Sequence, residues 1–295
     1  IDRHTLTSLV NAAGATEIPS KLSDFVELAK AATNDSTYGI AFTSSSPFSR
    51  WLEGCGEMSG ATPGGYDYAN GVYDFSSWKE IVEEAAKLYA DGSVLPGSEN
   101  QGVDNSRALF AQGAFALWGN ASQEAGVFTD QFPCSFDWGV AELPTLTGEV
   151  KGALSCSPNG GYVMLSSCEN KDAAWEVIKY FSSEDFLKGY FEGGYSIPLS
   201  GYMSNIGRLA DFELQDYEDV YPATPAVSVE GDDWKTVLWN VVLGYVSADE
   251  AIEDLNTRYN AALESGLSNG TCKRVIVENY DPLQPSAGTV TYKTE

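Results

Sequence analysis

Residues 109–123 read LFAQGAFALWGNASQ, and residues 138–145 read WGVAELPT. A short helix ends in Phe110-Ala111-Gln112-Gly113, where a glycine is the expected stop. An apolar run over 114–118 follows and reads as a strand. It gives way to small polar residues, Gly119-Asn120-Ala121-Ser122-Gln123, expected to form a loop. A second strand over 138–142 runs into Leu143-Pro144-Thr145, a turn.

Outward from this pair, amphipathic helices alternate with short strands. Leu22–Ala32 places Leu22, Phe25, Val26 and Ala29 on one face. Residues 78–91 repeat Trp78, Ile81, Val82, Ala85, Leu88 and Tyr89 at a helical period, with Ser77 and Glu80 as a capping box and Gly92 as the stop. Asn170 is placed to cap Lys171–Phe181, whose stripe is Ala174, Trp175, Ile178 and Phe181. Residues 234–245 carry Trp234, Val237, Leu238, Val241, Val242 and Tyr245 on one stripe. Ser247 and Glu250 open a further helix that buries Ile252, Leu255 and Tyr259. Strands are expected at 38–42 and 161–165, with a hairpin over 67–73 turning at Asn70-Gly71. The alternation predicts an α/β architecture. The tail, 273–295, has one apolar run, Val275-Ile276-Val277, and reads as a strap over the surface.

The chain has 295 residues, 42 acidic and 17 basic, for a formal charge of −25. That balance repels nucleic acid and favours solubility. No run is apolar for long enough to span a membrane, so no direct membrane insertion is expected. The five cysteines, Cys55, Cys134, Cys156, Cys168 and Cys272, lack metal-ligand spacing, and His4 is the sole histidine. No metal or other cofactor is expected, and an odd cysteine count leaves at least one thiol unpaired. An enzyme is not expected either. A Ser–His–Asp hydrolase would have only His4 to draw on, and no Walker loop, dinucleotide fingerprint or HExxH is present. Among 42 acids, pairs such as Asp232-Asp233 arise without catalytic meaning.

The order FAQGxxAL…G then WGVAELPT resembles the family 1 extracellular solute-binding proteins, the ligand-capturing subunits of ABC importers. Further segments carry the same resemblance: 6–33, 78–96, NKDAAWEVIKYFSS at 170–183, GGYSIP at 193–198, and 247–262. The match diverges at Lys21-Leu22-Ser23-Asp24, where the family usually has Thr-Trp-Asp-Glu. The resemblance implies a periplasmic-binding-protein type II-like, two-lobed α/β fold. By it, 1–142 and 199–267 form a largely complete C-terminal lobe, 143–198 the returning segment of a partial N-terminal lobe with its hinge crossovers, and 268–295 the C-terminal strap. The first half of the N-terminal lobe has no counterpart here, so the returning segment is expected to show bare apolar faces and the cleft to bind weakly.

The implied function is capture of a carbohydrate, an oligosaccharide by preference, for delivery to ABC permease subunits. The implied location is the outer face of the cytoplasmic membrane, as a lipoprotein in the precursor, or the periplasm. Such sites cover the C–H face of a sugar with aromatic rings and bond its hydroxyls with amides and carboxylates. At the implied cleft positions stand Phe48 and Trp51 as stacking aromatics, Asn120 and Gln123 in the loop after the apolar strand, Asp233 and Trp234 at a helix start, Asn159 and Gly161 in a glycine-bearing turn, and Tyr195 in the crossover. For Asp233 a plain capping role stands beside the ligand role. A peptide or polyamine receptor, in which carboxylates and Trp cage an amine, is the alternative ligand class. A carbohydrate-binding surface protein unconnected to transport is the other.

Overall fold

The computed structural model describes residues 3–8, 17–42, 48–122, 124–156, 162–192 and 215–294. In chain order its elements are β1 (Arg3–Ser8), α1 (Leu22–Ala32), β2 (Tyr38–Ile40), α2 (Glu53–Met58), β3 (Tyr66–Asp67), β4 (Val72–Tyr73), α3 (Lys79–Ala90), α4 (Val103–Ala111) and β5 (Phe115–Ala121). There follow α5 (Glu124–Asp130), β6 (Trp138–Ala141), β7 (Leu154–Ser155), α6 (Lys171–Phe181), α7 (Glu184–Glu192), β8 (Glu218–Asp219), α8 (Trp234–Val242), α9 (Ala248–Asn269), β9 (Arg274–Glu278) and β10 (Thr289–Lys293).

The main sheet has the order β2-β5-β1-β6. β5 runs parallel to β2 and antiparallel to β1, with Leu6 opposite Trp118. Lying between two strands and covered on both faces, β5 is buried at all seven positions. It therefore extends through Gly119 and Asn120 to Ala121, a stretch expected to be loop. β1 was not foreseen as a strand.

Two hydrophobic clusters flank the sheet. The larger joins α1, α3, α8 and α9 through residues such as Phe25, Ile81, Leu238 and Leu255. The smaller gathers Phe110, Phe115, Trp118 and Phe128. Helix ends follow the sequence in part. Ser247 and Glu250 form the expected capping box of α9. Ser77 and Glu80 do not form one: a tight turn, Ser76–Trp78, feeds α3 directly, so the capping hydroxyl has no place. Asn170 precedes α6 without a side-chain cap. Tyr245 falls beyond α8 and is 78% exposed, because the helix ends before Gly244 turns the chain away.

Larger departures lie elsewhere. α6 buries none of its residues, and Trp175 is 53% exposed, the bare apolar face expected of 143–198 rather than the buried stripe that the helical period alone suggests. Periodicity identifies its apolar face but not whether anything covers that face. Residues 162–165 form no strand, since no described strand lies alongside to pair with them. The tail is a hairpin, β9 with β10, rather than a strap, and Val275 and Val277 enter the larger cluster. The hairpin at 67–73 forms as expected, with Gly71 at φ 71° in its turn. None of the five cysteines forms a disulfide; Cys55 and Cys272 are buried and the others half-buried.

A set of buried tyrosines ties the tail to the body. The Tyr66 hydroxyl donates to the Val275 carbonyl at 2.8 Å, and the Tyr68 hydroxyl to that of Pro222 at 2.7 Å. Burial raises the phenol pKa of Tyr66, Tyr68, Tyr73 and Tyr280 above the ordinary value. Unfolded phenols ionise near about pH 10. Their stabilising contribution is thus complete below that value and is lost as pH rises from it toward the folded values. Thermal melts are expected to show Tm falling as pH is taken from about 9 to about 11, with the share of the tyrosinate absorbance that belongs to these buried phenols appearing only on unfolding. Full tyrosinate absorbance before unfolding would show these phenols to be open to solvent.

Candidate functional site

A wide helical turn, Phe48–Leu52, runs without a break into α2. It places Phe48 and Trp51 in different surroundings. The Phe48 ring meets Trp234 edge-on, with centroids 5.1 Å apart and planes at 86°, and lies 5.4 Å from Trp78. Trp78 and Phe75 approach Trp234 at 5.4 and 6.2 Å. Edge-to-face and tilted contacts of this kind are the favoured ring geometries. Phe48 itself is 2% exposed, whereas Trp234 is only partly buried.

Trp51 is fully buried. Phe25 and Phe42 lie 5.6 and 5.5 Å from it, and Gly119 of β5 completes its enclosure. A Cβ at Gly119 would come within 2.4 Å of the Trp51 side chain, so the glycine permits this approach. Trp51 has no surface to offer a ligand in this conformation. Asn120 stands beside Gly119 within β5 and is 1% exposed; its Oδ1 accepts the Ala121 N–H at 3.0 Å. The sheet has taken up the residue that the sequence placed in an open loop. Gln123, Asn159, Gly161 and Tyr195 lie outside the described residues.

The start of α8 is held from several directions. Asp233 is exposed and caps the helix, its carboxylate accepting the Thr236 N–H at 2.9 Å. The Trp234 N–H donates to the Tyr259 hydroxyl at 3.1 Å, and burial raises the Tyr259 pKa. Lys235 Nζ donates to Ser49 Oγ at 2.8 Å and pairs with Glu53 at 3.0 Å, stitching α8 to the turn that carries Phe48. The same ammonium lies 5.3 Å from the Trp234 ring centroid, a cation–π distance. Sequence reasoning missed Ser49, Glu53, Phe75, Trp78 and Lys235. Trp78 reads as core stripe, and nothing local links Lys235 to Glu53.

One further ion pair holds the start of α5. Glu124, fully buried at the start of α5, receives both Arg107 Nε at 2.9 Å and Nη2 at 2.8 Å, a two-bond clamp from α4.

A shallow apolar hollow of about 530 Å³, lined by Tyr162, Val163, Leu165, Val177, Ile178 and Phe181, shares no residue with this cluster. No group of three or more His, Cys, Asp or Glu among the described residues is arranged to hold a metal ion.

The model of the family of bacterial extracellular solute-binding proteins matches residues 6–187, more than half of the chain. The chain belongs to that family. No curated protein matches this solute-binding protein by sequence. Solved structures share its fold at low identity. The sugar-binding protein MalE from Xanthomonas citri is 18% identical with a TM-score of 0.63, over 91% of this chain and 70% of that one. The GacH receptor of Streptomyces glaucescens, solved unliganded and with acarbose, is 20% identical with a TM-score of 0.66, over 89% and 69%. RafE from Streptococcus pneumoniae is 15% identical with a TM-score of 0.60, over 88% and 70%. These likenesses establish for this solute-binding protein the α/β fold of the periplasmic binding proteins. No described helix is long and apolar enough to cross a membrane.

Proposed function

We propose that this chain is the carbohydrate-capturing subunit of an ABC importer, working outside the cytoplasmic membrane and passing an oligosaccharide to permease subunits without bond chemistry. The reading is carried by Trp234, a partly exposed indole at a helix N-terminus, backed by Phe48, Phe75 and Trp78 and flanked by the exposed Asp233. An aromatic face for the C–H side of a sugar, beside polar groups for its hydroxyls, is the chemistry such a ligand needs. Several fold relatives bind sugars, which supports the same class. In this reading 143–198 returns through the N-terminal lobe, and Gln123, Asn159, Gly161 and Tyr195 complete the cleft.

The test is a thermal-shift and calorimetric panel of maltotriose, raffinose, chitotriose and trigalacturonate against spermidine and short peptides. A saccharide at about 100 times its Kd stabilises the native state by about 2.7 kcal/mol, enough to raise Tm by several degrees. A response to spermidine or peptide with none to any saccharide would overturn the ligand class.

A further inference from the structure

We infer that Lys235 is a specificity determinant of this site: its ammonium holds the cation-binding face of Trp234 and restricts the ligand to neutral or anionic molecules, excluding polyamines and basic peptides. The saccharide arm of this inference rests on the proposed function; the exclusion of cations does not.

A partly exposed indole next to two carboxylates, Asp232 and Asp233, is by composition a place for an amine. Here the place is taken. The Lys235 ammonium lies 5.3 Å from the ring centroid, and Phe48, Phe75 and Trp78 crowd the ring from the protein side. Lys235 is not free to swing aside. Ser49 Oγ at 2.8 Å and Glu53 at 3.0 Å hold its Nζ, and the Glu53 side chain is 13% exposed. A lysine in the first turn of a helix opposes the helix dipole, so this position depends on the Glu53 carboxylate to hold it. The Lys235 side chain nonetheless remains 36% exposed, so its charge faces whatever approaches the indole. A ligand amine brought to the same ring would find its face occupied and stand within a few ångströms of a like charge, a cost of roughly tenfold in affinity once the Glu53 pairing and solvent screening are counted. A sugar hydroxyl or a uronate carboxylate meets an N–H donor instead.

The experiment compares wild type, Lys235→Met and Lys235→Arg by calorimetry with spermidine and with the four saccharides of the panel. Wild type and Lys235→Arg are expected to give no binding heat with spermidine. Lys235→Met is expected to bind spermidine and to bind the best saccharide about tenfold more weakly, the loss of one charge-assisted hydrogen bond. Spermidine binding by wild type, or its rejection by Lys235→Met, would overturn the inference. Should no saccharide bind wild type, the carbohydrate reading fails while the spermidine comparison still decides the role of Lys235. If Lys235→Met does not fold because Glu53 loses the Lys235 ammonium, the double variant Glu53→Gln/Lys235→Met removes that charge and carries the same test.

Discussion

Replacing Trp234 by alanine is expected to cost at least about 2 kcal/mol of ligand binding, a roughly 30-fold loss of affinity. The indole is the one ring of its cluster that combines partial exposure with a rigid mount. Its backbone is tied to Tyr259, its neighbour Asp233 caps the helix, and Phe48, Phe75 and Trp78 fix its tilt. A ring held this firmly loses little further freedom when a ligand stacks on it, so its contact area converts efficiently into affinity. Truncation also removes ring contacts inside the protein, so a fall in stability will accompany the fall in binding. Trp234→Phe separates the two effects, because it keeps an aromatic face at the same helix start. Its affinity should stay within about fivefold of wild type, a difference of about 1 kcal/mol. Calorimetry at a temperature where both variants are folded makes the comparison. Unchanged affinity in Trp234→Ala would remove this residue from the site.

The helices were legible because their apolar spacing is local information. α1 and α9 are where the period places them, and the Ser247 capping box is a four-residue pattern that needs no tertiary help. β1 was not legible: Arg3–Ser8, RHTLTS, has a single large apolar residue and becomes a strand through its pairing with β5 and β6. The same pairing turned Asn120 from expected loop into buried strand, because a central strand takes its length from its neighbours. The stripe of α6 was read correctly as a stripe, yet Trp175 stands in solvent, since a sequence period cannot say what lies opposite. At the site, the family resemblance pointed to Phe48 and Trp234, and the fold set their rings 5.1 Å apart. It could not separate Phe48 from Trp51, three residues on, because a helical turn sends them to different neighbours. Nor could it find Lys235, whose partners Ser49 and Glu53 lie more than 180 residues away.

The largest effect on stability is expected from the Arg107–Glu124 clamp between α4 and the start of α5. In Arg107→Ala the carboxylate of Glu124, fully buried, loses both of the hydrogen bonds that Arg107 supplies. Breaking a buried pair from one side typically costs about 3–5 kcal/mol, because the remaining charge is left desolvated. Against a total stability of about 5–15 kcal/mol this is a large fraction, and Tm should fall by roughly 10 °C. The Arg107 side chain is 15% exposed, so water can reach part of the gap and the lower end of that range is the better expectation. The double variant Arg107→Leu/Glu124→Leu decides between a charge effect and a packing effect. Removing both charges deletes the desolvation cost along with the attraction, so the double variant should recover most of the loss seen in Arg107→Ala. Equal destabilisation in the single and double variants would mean that the pair acts through volume rather than charge. Ligand binding gives the second reading: Glu124 follows Gln123 directly, so a loosened clamp should weaken saccharide affinity even below the shifted Tm, while the apolar double variant, with the start of α5 packed again, should restore part of it.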